Sequence, residues 1–190
     1  MAFFTSFTCK AEKAFRALLI LQGKGTFNNS FVSNDSRPRK LPNRTFVVTA
    51  FQPTRPYRPE GVCLLEIQHH FPAFVQPQQL NSINQKDDNA QQNAIDTFFG
   101  DTMDTLNMSG TDDQDMQGLA TNLTKAGRWL AVADGTPVGD QIAADNAEMA
   151  NFRCDWVQFG NPMITRGRDR DSTNWIEIIH LKCFISHATD

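Results

Sequence analysis

Tyrosine is nearly missing from this chain of 190 residues, with one Tyr against fifteen Phe, so its aromatic packing has almost no phenolic hydrogen bonds to satisfy. Cysteine is sparse as well. Cys9, Cys63, Cys154 and Cys183 stand far apart with no paired spacing. That excludes a disulfide framework and predicts synthesis in a reducing compartment. No run approaches the roughly 18 apolar residues of a membrane-spanning helix. The first residues have neither the basic lead nor the apolar block of a signal peptide, so a soluble cytosolic product is expected. Also missing are a Walker-type Gly-rich loop before Lys-Ser/Thr, a nucleophile elbow and a dinucleotide fingerprint.

What is present suits one globular domain over residues 1–190, with 110–148 as a candidate insertion. Hydrophobic residues make up 40% and charged residues 21%, too apolar a balance for a disordered chain. The net charge of −3 hides an asymmetry. Residues 1–60 carry ten Lys/Arg against three Asp/Glu, residues 61–150 three against thirteen, and residues 151–190 five of each. A nucleic-acid binder keeps an uncompensated basic surface. Here the two blocks are positioned to neutralise each other, within one subunit or between neighbours.

Periodicity predicts the elements. After Thr8 as N-cap, residues 9–22 place Ala11, Ala14, Phe15, Leu18 and Leu19 on one helical stripe, with Lys10, Lys13 and Arg16 facing out. Gly23 and Gly25 end that helix. Residues 27–44 are irregular and basic, with a short strand over 30–33. Residues 45–52 alternate as a strand with Phe46, Val48 and Ala50 on one face. Residues 62–71 form its hairpin partner, with Cys63, Leu65 and Ile67 sharing a face. Ten of the eighteen residues from 76 to 93 are Asn or Gln, a polar crossover, and a helix is expected from Asp87 to about Leu106. Another helix over 117–131 puts Leu119, Leu123, Ala126 and Leu130 on one stripe. Gly135, Pro137 and Gly139 make 134–145 a loop. Residues 149–159 form a strand with Phe152, Cys154 and Trp156 on one face. The strand 174–186 places Trp175, Ile179, Leu181, Cys183 and Ile185 together, and the charged stretch 160–173 between them is a projecting hairpin loop. The expected class is α+β, a mostly antiparallel sheet with an N-terminal helix and one or two central helices packed on it.

Chemistry-bearing residues are scattered. His69 and His70 are adjacent in a strand and point to opposite faces, so they cannot chelate one ion. His180 and His187 have no partner at ligand spacing, and no metal or other cofactor is expected. The strand cysteines read as small buried hydrophobes. Asp112, Asp113, Asp169 and Asp171 read as solvated acids. Glu66 and Glu177 are the only acids inside otherwise apolar strands, and alternation explains them as outward positions. No catalytic residues are assigned, and the chain is not expected to be an enzyme. The features that ask for a partner are two basic stretches: Arg37, Arg39, Lys40 and Arg44, and the loop residues Arg166, Arg168 and Arg170, which alternate with Gly and Asp. Mixed charge on a hairpin tip suits protein docking better than phosphate binding.

Two segments resemble a known family. Phe31, Val32, Ser33, Asn34 and Asp35, followed by Leu41, Pro42, Asn43, Arg44, Thr45, Phe46, Val47 and Val48, are similar to the tail terminator (tail completion) proteins of long-tailed bacteriophages. There a polar, acidic stretch precedes Leu-Pro and a β-rich run. The closing strand, Trp175, Ile176, Glu177, Ile178, Ile179, His180, Leu181, Lys182 and Cys183, after a charged hairpin loop, is similar too. The resemblance covers the two ends, about half of the chain. It implies an α+β virion protein that forms a six-membered homo-oligomeric ring at the tail–neck junction, assembled in the host cytoplasm. That ring caps the tail tube, ends tube polymerisation, and meets the tube protein on one face and a neck or connector protein on the other, with no membrane and no sequence-specific nucleic acid. The basic residues named above are then the expected interface. Another neck ring or the tube subunit itself is the alternative, and a metal-dependent enzyme or nucleic-acid module is a third reading.

Overall fold

A computed structural model describes residues 7–23, 25–33, 35–36, 45–51, 61–71, 113–168 and 175–187. In chain order these form α1 (Phe7–Leu21), β1 (Ser30–Val32), β2 (Thr45–Phe51), β3 (Gly61–Phe71), α2 (Asp113–Trp129), α3 (Pro137–Asp145), a 3-10 turn (Ala147–Met149), β4 (Phe152–Arg168) and β5 (Trp175–His187). The fold is α+β. Five strands form one sheet in the order β1-β2-β3-β5-β4, antiparallel except for the short β1–β2 pair. The helix expected over 87–106 lies outside the described residues.

One face of the sheet carries the core. Phe46 and Val48 from β2, Cys63, Leu65 and Ile67 from β3, and Ile179, Leu181, Cys183 and Ile185 from β5 are all buried in it. They alternate with outer-face residues, as the pleat requires. Onto this face pack α1, through Ala11, Ala14, Phe15, Leu18 and Leu19, and α2, through Leu119, Leu123, Ala126 and Leu130. Fully buried Phe15, Phe152, Leu119 and Leu123 each contribute on the order of 1.5–3 kcal/mol by burial. The candidate insertion 110–148 thus contains α2, whose stripe lies in the same cluster as the sheet.

Several boundaries differ from the sequence expectation, each for a local reason. Helix α1 starts at Phe7, so Thr8 lies inside it rather than capping it. Phe7 is 2% exposed and reaches Gly61, so burial of this ring draws the first turn into the helix. At the other end Gly23 adopts φ +72 and its N–H bonds Ile20 O, a left-handed stop that favours glycine. Lys10 does not face out: it is 8% exposed. Residues 137–145 are α3 rather than loop. Pro137 sits in the first turn, where its missing N–H costs nothing, and the Thr136 hydroxyl accepts from Gly139 N (3.0 Å) as N-cap. Asp134 Oδ1 in turn accepts from Thr136 N and Oγ1 (2.9 and 2.7 Å), which holds its carboxyl below the usual carboxylate range.

The largest difference lies in the closing hairpin. Strand β4 continues to Arg168, so 160–168 is strand rather than projecting loop. Register shifts between Cys154 and Trp156 and between Phe159 and Ile164 interrupt its pairing with β5. The first of these turns the expected Trp156 away from the core and brings Val157 in, as a bulge does to every residue after it. Trp156 stacks on Phe184 instead, with ring centroids 6.3 Å apart.

Candidate functional site

The expected interface residues are not gathered by the described fold. Arg37, Arg39, Lys40, Arg44 and Arg170 lie outside the described residues. Arg166 and Arg168 are strand residues of β4, in backbone register with Glu177 and Trp175 of β5. Glu66 and Glu177 are not in register with each other: Glu66 lies opposite His180, and Glu177 opposite His69.

The outer sheet face, away from α1 and α2, gathers side chains instead. The cross-strand line Thr49, Glu66, His180 runs through β2, β3 and β5. His180 had no ligand-spaced neighbour in sequence, but the sheet supplies two. Its Nε2 is 3.0 Å from Thr165 Oγ1, and its Nδ1 is 3.9 Å from Glu66 Oε1. A hydroxyl–imidazole–carboxylate relay needs a true hydrogen bond between base and acid, and 3.9 Å is too long for one. This arrangement positions the imidazole and places a polar strip on the face. Gly160 makes room for it, because a Cβ there would lie 2.8 Å from His180 Cβ.

Beside that strip is a cavity of about 340 Å³, lined by Phe51, Leu64, Glu66, Gly160 and His180 among others. Phe51 and Leu64 are 47% and 39% exposed, unusual for large apolar side chains. On the next position of β5, Lys182 Nζ stands 5.9 Å from the Trp156 ring centroid, a cation–π contact that adds positive charge to the face. The cavity is therefore an apolar depression with a cationic neighbour and one carboxylate.

A second polar cluster ties α1 to the sheet. Glu12 is 1% exposed, and its carboxylate accepts from Ser33 N (3.0 Å), Ser33 Oγ (2.7 Å) and Ala50 N (2.8 Å). Arg16 reaches Asp35 Oδ2 (2.8 Å), which also accepts from Val32 N. Lys13 pairs with Glu148 at 2.7 Å. Together these bonds join the helix to the stretch after β1, to β2 and to the 3-10 turn, a structural use of charge. Burial lowers the Lys10 ammonium below the ordinary lysine range, and the nearby Glu148 carboxylate opposes that only partly. The charged form is thus penalised in the folded chain. The urea midpoint of Lys10→Met relative to wild type is expected to fall as pH rises toward the ordinary lysine value, where the unfolded chain also loses the proton and the penalty on the charged form disappears. Urea titrations of both proteins at pH 7 and pH 10 check it.

Three thiols converge in the core. Cys63 and Cys183 are direct cross-strand partners with their sulfurs 3.1 Å apart, and Cys154 is buried close by. Hydrogen bonds to Cys154 and Cys63, then burial, push the Cys183 thiol well above the ordinary range. Burial also raises Cys9, which is only half-buried. A raised pKa removes the nucleophilic thiolate. In native protein, alkylation is expected to label Cys9 first and slowly, with Cys63, Cys154 and Cys183 labelled only in denaturant. Peptide mass spectrometry reads the order, and labelling of Cys183 at the rate of Cys9 would contradict this packing. Among the described residues no group of three His, Cys, Asp or Glu side chains is arranged to hold a metal ion, and no helix is long and apolar enough to cross a membrane.

Comparison with family models, with curated proteins and with solved structures finds no match for this chain.

The sequence reading missed the outer-face cavity. Its signal was present in the apolar residues at the outward positions, Phe51, Leu64, Ile178 and Phe184, where a solvated sheet face carries polar ones.

Proposed function

We propose that this chain is a virion structural protein of a long-tailed bacteriophage, forming a ring that caps the tail tube, ends tube polymerisation and links the tail to the neck. The observation that carries the reading is the order of parts at the two ends of the chain. The polar segment from Phe31, the Leu41-Pro42 step and the β-rich run from Thr45 resemble the tail terminators, as does the closing strand through Cys183. The observed α+β subunit is of the kind that resemblance implies. Binding is the whole mechanism: one face of the ring matches the last ring of the tube, and the other does not propagate growth. Such rings close when a head-to-tail contact repeats until it meets itself.

Gold-labelled antibody against this chain, viewed on intact particles, tests the placement. Label confined to the head–tail junction is the expected result. Label along the whole tail makes the chain a tube subunit, and particles without label overturn the reading.

A further inference from the structure

Alternation places Cys63 of β3 and Cys183 of β5 on the core face of the sheet, and the register sets them directly opposite each other. Directly opposed residues of an antiparallel pair have Cα atoms roughly 4.5 or 5.5 Å apart, and a disulfide accepts roughly 4.4–6.8 Å. This pair therefore stands at bonding separation with no backbone movement required. Both side chains are 0% exposed, and their sulfurs are 3.1 Å apart as two free thiols.

Cys154 of β4 is the third thiol of the cluster, but it is placed differently. Its register partner is Ile185, two positions along β5 from Cys183. Such a diagonal neighbour has its Cα roughly 7–8 Å away, too far for a disulfide without strain. The Cys154 thiol is also engaged elsewhere, donating to Trp156 O at 3.4 Å. The cluster thus holds one pair that can close and one thiol that is left over. Hydrogen bonds to Cys154 and Cys63, then burial, keep the Cys183 thiolate scarce, which makes the pair slow to react. It is preserved as a dithiol wherever the surroundings are reducing.

From this placement we infer that Cys63 and Cys183 are a redox modification site, a dithiol that a peroxide converts to an intramolecular disulfide stapling β3 to β5. One sulfur, as thiolate, attacks a peroxide oxygen; the O–O bond breaks, water leaves and a sulfenic acid remains. The second sulfur, already in contact, displaces that oxygen as a second water and forms the S–S bond. Two thiols lose two hydrogens and two electrons, and one hydrogen peroxide becomes two waters. A resolving thiol in contact removes the sulfenic acid before it oxidises further. The two positions are 120 residues apart, so the bond closes a long loop and restricts the unfolded chain strongly. This site stands independently of the ring reading.

Hydrogen peroxide added to the folded, reduced full-length chain tests it. Peroxide is then removed, remaining thiols are alkylated in denaturant, and peptides are mapped without reduction. The expected product is a monomer, two hydrogens lighter at one linked pair of peptides carrying Cys63 and Cys183, with Cys154 recovered as a thiol. Oxidation is expected to raise the thermal midpoint by roughly 5–15 °C in wild type and in Cys154→Ala, and not in Cys63→Ala. Methionine oxidation is common to all three proteins, so the difference between them isolates the bond. The inference is overturned if Cys63 and Cys183 return as thiols, or as sulfinic or sulfonic acids, after a dose that oxidises Cys9. A bond to Cys154 or between chains in its place overturns it too, as does an equal rise in Cys63→Ala. The peptide map needs only the wild-type chain, so it decides the question even where a variant fails to fold.

Discussion

Replacing Glu12 with Ala is expected to destabilise the folded chain by about 2–4 kcal/mol, the cost of orphaning the donors that its buried carboxylate satisfies. The carboxylate sits at 1% exposure and accepts three hydrogen bonds, two from Ser33 and one from Ala50 N. Truncation leaves the Ser33 and Ala50 N–H groups without their acceptor, and each orphaned donor costs about 1–3 kcal/mol. The effect extends beyond α1, since Ser33 follows β1 and Ala50 belongs to β2. Glu12→Gln keeps an acceptor and the shape, so it should lose less than Ala does. Urea unfolding of the three proteins gives the ranking directly. Equal stability of Glu12→Ala and wild type would mean that the carboxylate does not hold these strands.

The second large effect concerns two glycines of one helix, and the expected signs are opposite. An exposed helical Gly→Ala exchange stabilises by roughly 0.5–1 kcal/mol through the unfolded chain. Gly118 of α2 has nothing within 4 Å of the position its Cβ would take, so Gly118→Ala follows that rule. Gly127, nine residues on, does not. A Cβ there would overlap the Phe152 ring, whose Cγ and Cε1 would both lie 2.9 Å away. Phe152 is fully buried and its carbonyl is bonded by Arg128 Nε at 2.9 Å, so the ring has nowhere to move. Gly127→Ala is therefore expected to cost about 1–3 kcal/mol by overpacking, despite the gain in helix propensity. Thermal unfolding of both variants separates the two cases. Two upward shifts would show that α2 does not lie against β4 as described.

That docking also protects a sheet edge. Thr124 Oγ1 accepts from Cys154 N at 3.0 Å, and Arg128 covers Phe152 O, so side chains of α2 satisfy the outer backbone groups where β4 begins. An edge strand left open there would invite pairing with other chains. Neither role was visible in the sequence, because an edge is defined only when the strand order is known.

The elements that were legible share one property, a buried stripe longer than two helical turns or at least three alternating strand positions long. Leu119, Leu123, Ala126 and Leu130 fell on one face as their spacing predicts, and so did Cys63, Leu65 and Ile67. Composition misled where a breaker residue had a positional role. Pro137 and Gly139 read as loop, yet Pro suits a first helical turn, and Gly139 leaves room for the Asp134 carboxylate that holds the cap. Alternation failed at Trp156 because a bulge changes the phase without changing composition. Thr165 to Arg168 read as loop because charge is frequent in loops, but in β4 they pair with the start of β5. The outer-face site needed three strands brought together, β3, β5 and β4, and Glu66, His180 and Thr165 are not close in sequence. No spacing rule finds such a set.

The most direct test of the proposed role is electron microscopy of particles assembled while this gene is silenced. The account predicts overlong tails of variable length, unattached to filled heads, because nothing then ends tube growth or makes the tail competent to join. Intact, infectious particles with tails of normal length would contradict it.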